Sequence, residues 1–281
     1  MPSLKDFFNE LARLPSLPEI YFRINDVIND PESSFGDVAD IISNDTSLSS
    51  RLLQIVNSSF YNFPAKIDTV SHAISIVGTR QLRDLALATL VMTAFKGVPE
   101  DLVDMKSFWK HGVGCGIAAW VIALLCRESN PERYYLTGIL HDVGRLIILA
   151  NHPETSQKIM ERSQAGDQLV NVVEREILGF DHGAVGAELL HSWNLPDNLS
   201  EVIRYHHSPL EATDYAVETA LLNLADVFAK SMELGCSGDR RVPPLEPEVW
   251  DRLELEVRSL PVLWEQIEKQ YNETIDIFLS D

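Results

Sequence analysis

Five separated stretches of this chain carry side chains able to hold a divalent cation: His111, the pair His141-Asp142, His182, the doublet His206-His207, and Asp226. Neutral imidazole nitrogen and carboxylate oxygen are donors that iron, manganese and zinc accept. Two such ions held about 3.5–4 Å apart activate a water and clamp a phosphoryl group. The pair His141-Asp142 makes the strongest demand, because it lies in the apolar run from Tyr135 to Leu149, which reads as buried helix. A buried carboxylate is costly unless a partner offsets it. Asp142 could bridge two ions through its two oxygens, and the doublet could send one ring to each.

Taken singly, each residue has a plainer reading. Asp142 could pair with Arg145 one turn on, and His141 could bond a backbone carbonyl. His111, beside Phe108 and Trp109, could be a satisfied core histidine. His182 could be an early helix residue behind Asp181, the doublet a surface turn before Ser208-Pro209, and Asp226 the partner of Lys230. His72, His152 and His191 read as ordinary background.

The elements that must position these groups show helical periodicity almost throughout. A helix opens at Leu17-Pro18-Glu19 and carries Ile20, Ile24, Val27 and Ile28 on one face. Ser33 or Ser34 can cap a second helix and Asp45 a third. An aromatic loop, Asn57 to Pro64, precedes a short helix from Thr69 to Val77, which Gly78 ends, and a longer one from Thr79 to Phe95. Further helices are expected over Met105–Cys126, Glu132–Ala150, Glu154–Gln164, Gln168–Ile177, Leu199–Tyr205 and Tyr215–Lys230, with another starting at Asp181-His182. The tail from Trp250 to Leu279 reads as two helices divided at Leu260-Pro261. No strand pattern stands out, so the class is all-α. Glycine, proline and acidic residues from Gly97 to Asp101 suggest a border. The expected parts are an N-terminal helical part (1–98), a helical core with the candidate centre (99–235), and a C-terminal loop and helices packing on that core (236–281).

Length and composition are those of a globular protein with a sizeable core. The 23 basic residues stand against 42 acidic ones, a net charge of −19. That field repels phosphate backbones and anionic lipid, so neither nucleic acid nor membrane is expected as a partner. Phe35–Ser43 and Ser47–Asn57 have helix-turn-helix proportions, but the second offers only Arg51 to a phosphate. A small phosphate-bearing ligand stays compatible with the charge. No run reads as a membrane span or signal peptide, and Cys115, Cys126 and Cys236 fit no disulfide or zinc spacing, which suits a reducing cytoplasm.

The series His111, His141-Asp142-Val143-Gly144-Arg145, His182, His206-His207 and Asp226 resembles the HD superfamily of metal-dependent phosphohydrolases. Within it the chain is most similar to the HDOD family of bacterial signalling proteins. That likeness runs through Leu14 to Pro18, Asp45 to Leu48, Arg51, Asn57-Ser58-Ser59-Phe60-Tyr61, Ala73-Ile74, Phe108-Trp109, Gly138 to Leu146, Val185-Gly186-Ala187 and Trp193 to Pro196. The resemblance implies an all-helical regulatory module acting through protein contacts with signalling partners. It also implies one or two divalent ions (iron, manganese or zinc) held by His111, His141, Asp142, His182, His206, His207 and Asp226. The alternative it carries is a phosphohydrolase acting on a nucleotide or cyclic dinucleotide. Asp142 would then serve catalysis, with Arg145 or Lys110 balancing phosphate charge. The Gly-Tyr-Pro signature of the HD-GYP phosphodiesterases is absent, since Ser208-Pro209-Leu210 follows the doublet. Ser107 stands where those enzymes can place a glutamate for a third metal.

Overall fold

The structure, a computed structural model, describes residues 3–12, 14–58, 60–95, 98–239 and 241–279. Ser59 of the aromatic loop, Gly97 at the expected border, and the outermost positions of the expected N- and C-terminal parts lie outside the described residues. All regular structure among the described residues is helical. The chain separates into a smaller compact unit, Pro15–Lys96 with Glu268–Asp281, and a larger one, Met1–Leu14 with Gly97–Ile267.

Helix α1 (Leu4–Asn9), in the larger unit, escapes the sequence reading because six residues show too little periodicity. Ser3 and Asp6 cap it reciprocally. The smaller unit follows as α2 (Glu19–Asn29), α3 (Phe35–Ser43), α4 (Thr46–Val56), α5 (Val70–Val77) and α6 (Thr79–Ala94). Ser34, Asp45 and Thr69 cap α3, α4 and α5 as their residue types suggest. Gly78 joins α5 to α6 at φ +89°, where a side chain would be strained. Ile24, Ile42, Leu52, Ile55 and Leu82 are fully buried between these helices. The Asn57 side chain ties the aromatic loop by bonding Leu53 O and both polar groups of the Ile67 backbone.

The larger unit is built on α7 (Met105–Leu125), against which α8 (Glu132–Leu140) packs. Then come α9 (Val143–Asn151), α10 (Pro153–Gly166), α11 (Val170–Leu178), α12 (His182–Ser192), α13 (Asp197–Arg204), α14 (Ala216–Ser231) and α15 (Pro247–Arg252); the last helix, α16 (Leu260–Leu279), starts in this unit and from Glu268 on belongs to the smaller one. Helix α14 lies on α7, and α12 packs against both α9 and α13.

Three expectations change. First, α7 is long and apolar enough to cross a membrane, contrary to the reading of no such run; 78% of its apolar window is buried inside the protein, as a core helix requires. Second, the tail divides over residues 253–259 rather than at Leu260-Pro261, and Pro261 sits in the first turn of α16, where a missing N–H costs nothing. Third, the single helix expected over Glu132–Ala150 is two, broken at His141-Asp142. Asp142 sits at φ −99°, ψ 3°, outside the helical well. Apolar residues surround both halves, so periodicity carried no mark of the break.

The break lets one short stretch pack on two different helices. A Cβ on Gly138 would stand 2.3 Å from Gly116 Cα and N of α7, and one on Gly144 would stand 2.0 Å from His182 O of α12. Both crossings are backbone against backbone, with the His141-Asp142 pair between them. Gly138→Ala and Gly144→Ala should each lower stability by about 3 kcal/mol, the scale of an overpacked core. Urea unfolding followed by circular dichroism measures this; unchanged midpoints would contradict the close approach.

Candidate metal centre

The structure brings all seven expected ligands together in two groups. His111 comes from α7, His141 from the end of α8, and Asp226 from α14; their donor atoms face one another. Asp142, His182, His206 and His207 form the second group. Asp142 joins the two: its Oδ2 lies 3.2 Å from His141 Nε2 and 3.7 Å from His111 Nε2. Its Oδ1 lies 2.9 Å from His182 Nε2 and 3.8 Å from His206 Nε2. Asp226 Oδ1 completes the first group at 3.1 Å from His111 Nε2, and His207 Nε2 the second at 2.9 Å from His182 Nε2. His72, His152 and His191 stand outside both groups.

Local backbone orients the rings. His141 Nδ1 is 2.7 Å from Gly138 O and His206 Nδ1 is 2.6 Å from Ile203 O, each three residues back. A proton on Nδ1 serves that carbonyl and leaves the Nε2 lone pair pointing inward. Thus His141 does bond a carbonyl, and that bond prepares it as a ligand. His182 is held by a carboxylate instead: Glu174 Oε2 lies 2.6 Å from its Nδ1 and 2.9 Å from its backbone N. Asn223 Nδ2 donates to His206 O at 2.8 Å, fixing the doublet from α14.

The centre is dry. His111, His141, Asp142, His182, His206 and Asp226 are at most 3% exposed, and only His207 is half-buried. Burial pushes the Asp142 carboxyl up, but the His141 and His182 charges outweigh it and hold the group well below the carboxylate range. Asp226 is likewise held low, burial being outweighed chiefly by Lys230. Burial opposes the charged form of His182, yet Glu174 and Asp142 carry it to about 9. Burial and the neighbouring His141 charge depress His206 to about 3.

Among the buried side-chain atoms without a hydrogen-bond partner are His111 Nε2, His141 Nε2, His206 Nε2, both Asp142 oxygens and Asp226 Oδ1. Buried polar atoms are rarely left so, and here the orphans are donor atoms converging from two sides. The residues therefore fit one or two divalent ions. When bound, such ions supply Lewis acidity and an acidified water. The chain's own part is to hold imidazoles and carboxylates at fixed places away from solvent.

Arg145 stands elsewhere. Its buried guanidinium reaches Ser237 Oγ at 3.5 Å and Met160 Sδ at 3.8 Å, and forms no ion pair with Asp142. The Asp142–Arg145 pairing that its spacing allowed does not occur. Lys110 is half-buried on α7. Glu174 was missed by the sequence reading: it sits on a different helix, and an acid in an amphipathic segment carries no local mark. Lys230 was recognised only as an alternative partner for Asp226, and that pair does form, at 2.7 Å.

The chain belongs to the HDOD family: the HDOD domain matches residues 14–209. A curated relative, an uncharacterised protein of Treponema pallidum (strain Nichols), is 26% identical over 196 residues, 69% of this chain. The match spans only 38% of that protein's length. Among solved structures, an HDOD domain protein of unknown function from Geobacter sulfurreducens shares the fold at TM-score 0.79 and 23% identity, over 99% of this chain and 97% of that one. A candidate phosphohydrolase from Shewanella amazonensis SB2B aligns at TM-score 0.76 and 26% identity, over 98% and 96%.

Glu174→Gln keeps the shape and removes the charge behind His182. It should weaken divalent-ion affinity 10–100-fold, the range for an outer-shell carboxylate. Calorimetric titration of chelator-treated protein with Mn²⁺ checks this. An ion must also displace the His182 proton, so affinity should rise with pH until about pH 9. An affinity flat between pH 6 and 8 would contradict that competition.

Proposed function

We propose that this chain is a cytoplasmic HDOD regulatory module that works through contacts with signalling proteins, with a divalent-ion centre serving structure or sensing. The observation that carries the reading is the burial of the centre: six of its seven ligands are shut from solvent and the seventh, His207, is half-buried. A catalytic metal needs an open coordination position facing a substrate pocket. The displacement of Arg145 toward Ser237 and Met160 points the same way, because it leaves that cation engaged outside the ligand set. The strongly acidic surface disfavours nucleic acid and anionic membrane as partners and leaves proteins as the natural class.

The second reading is a phosphohydrolase for a nucleotide or cyclic dinucleotide. Its support is specific: Asp142 spans two adjoining donor groups, as a bridging carboxylate in a two-metal site would. The Shewanella amazonensis relative adds weight, being 26% identical and described as a candidate phosphohydrolase. In that case Asp142 and the histidines hold the ions, and His207 marks the edge from which a substrate would come.

Protein purified without chelators should contain at least one equivalent of a transition metal by elemental analysis. It should turn over neither cyclic dinucleotides nor common nucleotides with Mn²⁺ or Fe²⁺. Turnover that disappears in Asp142→Ala would replace the regulatory reading with the enzymatic one. Metal well below one equivalent, even after anaerobic reconstitution, would remove the ion from both.

A further inference from the structure

Arg145 is a cation shut inside the larger unit at 3% exposed. Among the described residues its hydrogen-bond partners are a hydroxyl at 3.5 Å and a thioether at 3.8 Å, and no carboxylate oxygen comes within 4.0 Å. A buried charge is costly unless it is paired. Glu174, 2% exposed, has the opposite shortage: its Oε2 serves His182 twice, whereas its Oε1 takes no hydrogen bond from another described residue. Both side chains border one cleft of about 10 Å³, walled by Ile148, Ile159 and Val170 and by Ser156. The buried Ser156 hydroxyl donates to His152 O at 2.9 Å and keeps its oxygen lone pairs available. One water molecule needs a space of roughly 10–15 Å³ and two to four polar partners. The cleft offers three partners: an Arg145 N–H, Glu174 Oε1 and Ser156 Oγ.

We propose that one bound water joins Arg145 to Glu174, which makes Arg145 a positioning residue for His182. The water accepts an Arg145 N–H and donates to Glu174 Oε1 and Ser156 Oγ, so the two charges are paired without touching. Such a bridge comes close to a direct hydrogen bond in enthalpy. It fixes the rotation of the carboxylate that sets Oε2 against both the ring Nδ1 and the backbone N–H of His182. Arg145 thereby reaches the centre from outside the ligand set. Its effect on a bound ion rests on the divalent-ion reading given above; its effect on His182 does not.

Two readouts on full-length protein separate the link from the ion. In chelator-treated protein, NMR follows hydrogen exchange of the His182 amide, which donates to Glu174 Oε2. Arg145→Gln should speed that exchange at least tenfold relative to the core amides of α14, which report global stability. Arg145→Lys, which keeps the charge, should recover most of the protection. Mn²⁺ titration gives the second readout. Arg145→Gln should weaken binding at least threefold in the wild-type background and not at all in a Glu174→Gln background, where nothing is left to position. Should Arg145→Gln fail to fold, Ser156→Ala removes one bond to the water and should give the same pattern. Unchanged His182 exchange would overturn the proposal, as would equal losses of affinity in the two backgrounds. Faster His182 exchange in protein that binds no manganese at all would strike the divalent-ion reading and leave the link standing.

Discussion

Two backbone crossings, at Gly138 and at Gly144, fix where the His141-Asp142 pair lies in the larger unit. Each brings a helix to within a distance that no Cβ could share, α8 onto α7 and α9 onto α12. Side-chain packing tolerates adjustment of a few tenths of an ångström, but backbone contact does not, since neither partner has a rotamer to change. The seven residues from Gly138 to Gly144 contain the turn that carries His141 and Asp142. The pair is thus fixed from both directions. His111 lies one turn before Cys115 and Gly116 on α7, and His182 offers its own carbonyl to the Gly144 contact, so both enter the centre by the same constraint.

Once the ligands are placed, the buried charge must be balanced. Asp142 and Asp226 would be intolerable in a dry interior without positive neighbours, and they find them in histidines and in Lys230. The histidines divide by their outer contacts. His141 and His206 lean on backbone carbonyls, whereas His182 leans on the Glu174 carboxylate, which favours a positive or strongly polarised ring. Their basicities follow the neighbouring charges as well: burial opposes the charge on each ring, but Asp142 carries His141 well above its ordinary value and Glu174 with Asp142 carries His182 to about 9, whereas burial and the His141 and His182 charges depress His206 to about 3. Arg145 touches none of these groups, its guanidinium being turned to Ser237 and Met160.

Much of the architecture was legible in the sequence because helices announce themselves by period and by caps: Ser34, Asp45, Thr69 and Asp181 each cap the helix that follows them. What stayed hidden has a common cause. The break at His141-Asp142 lies in a segment buried all round, where apolar residues on every face erase the phase that would reveal a change of axis. The ligand inventory was visible as residue types, yet its division into two groups sharing Asp142 depends on helix crossings among α7, α8, α9, α12 and α14, which no local spacing encodes. Glu174 and the committed state of Lys230 are likewise properties of packing between segments distant in sequence. Conversely, i,i+4 spacing correctly offered Lys230 to Asp226, while i,i+3 spacing offered Arg145 to Asp142 and the fold declined it.

The donors of this centre are strung along the chain from His111 to Asp226, which gives any ion bound there the character of a cross-link. In polymer terms it would close a series of nested loops, and the entropy of loop closure grows only logarithmically with contour length. Joining such remote positions therefore costs the unfolded chain little more than joining near ones. The knot tied at Asp142 would restrain helices α7, α8, α12 and α14 together, so loading or losing an ion would alter the breadth of the accessible ensemble and not merely the contents of one cavity.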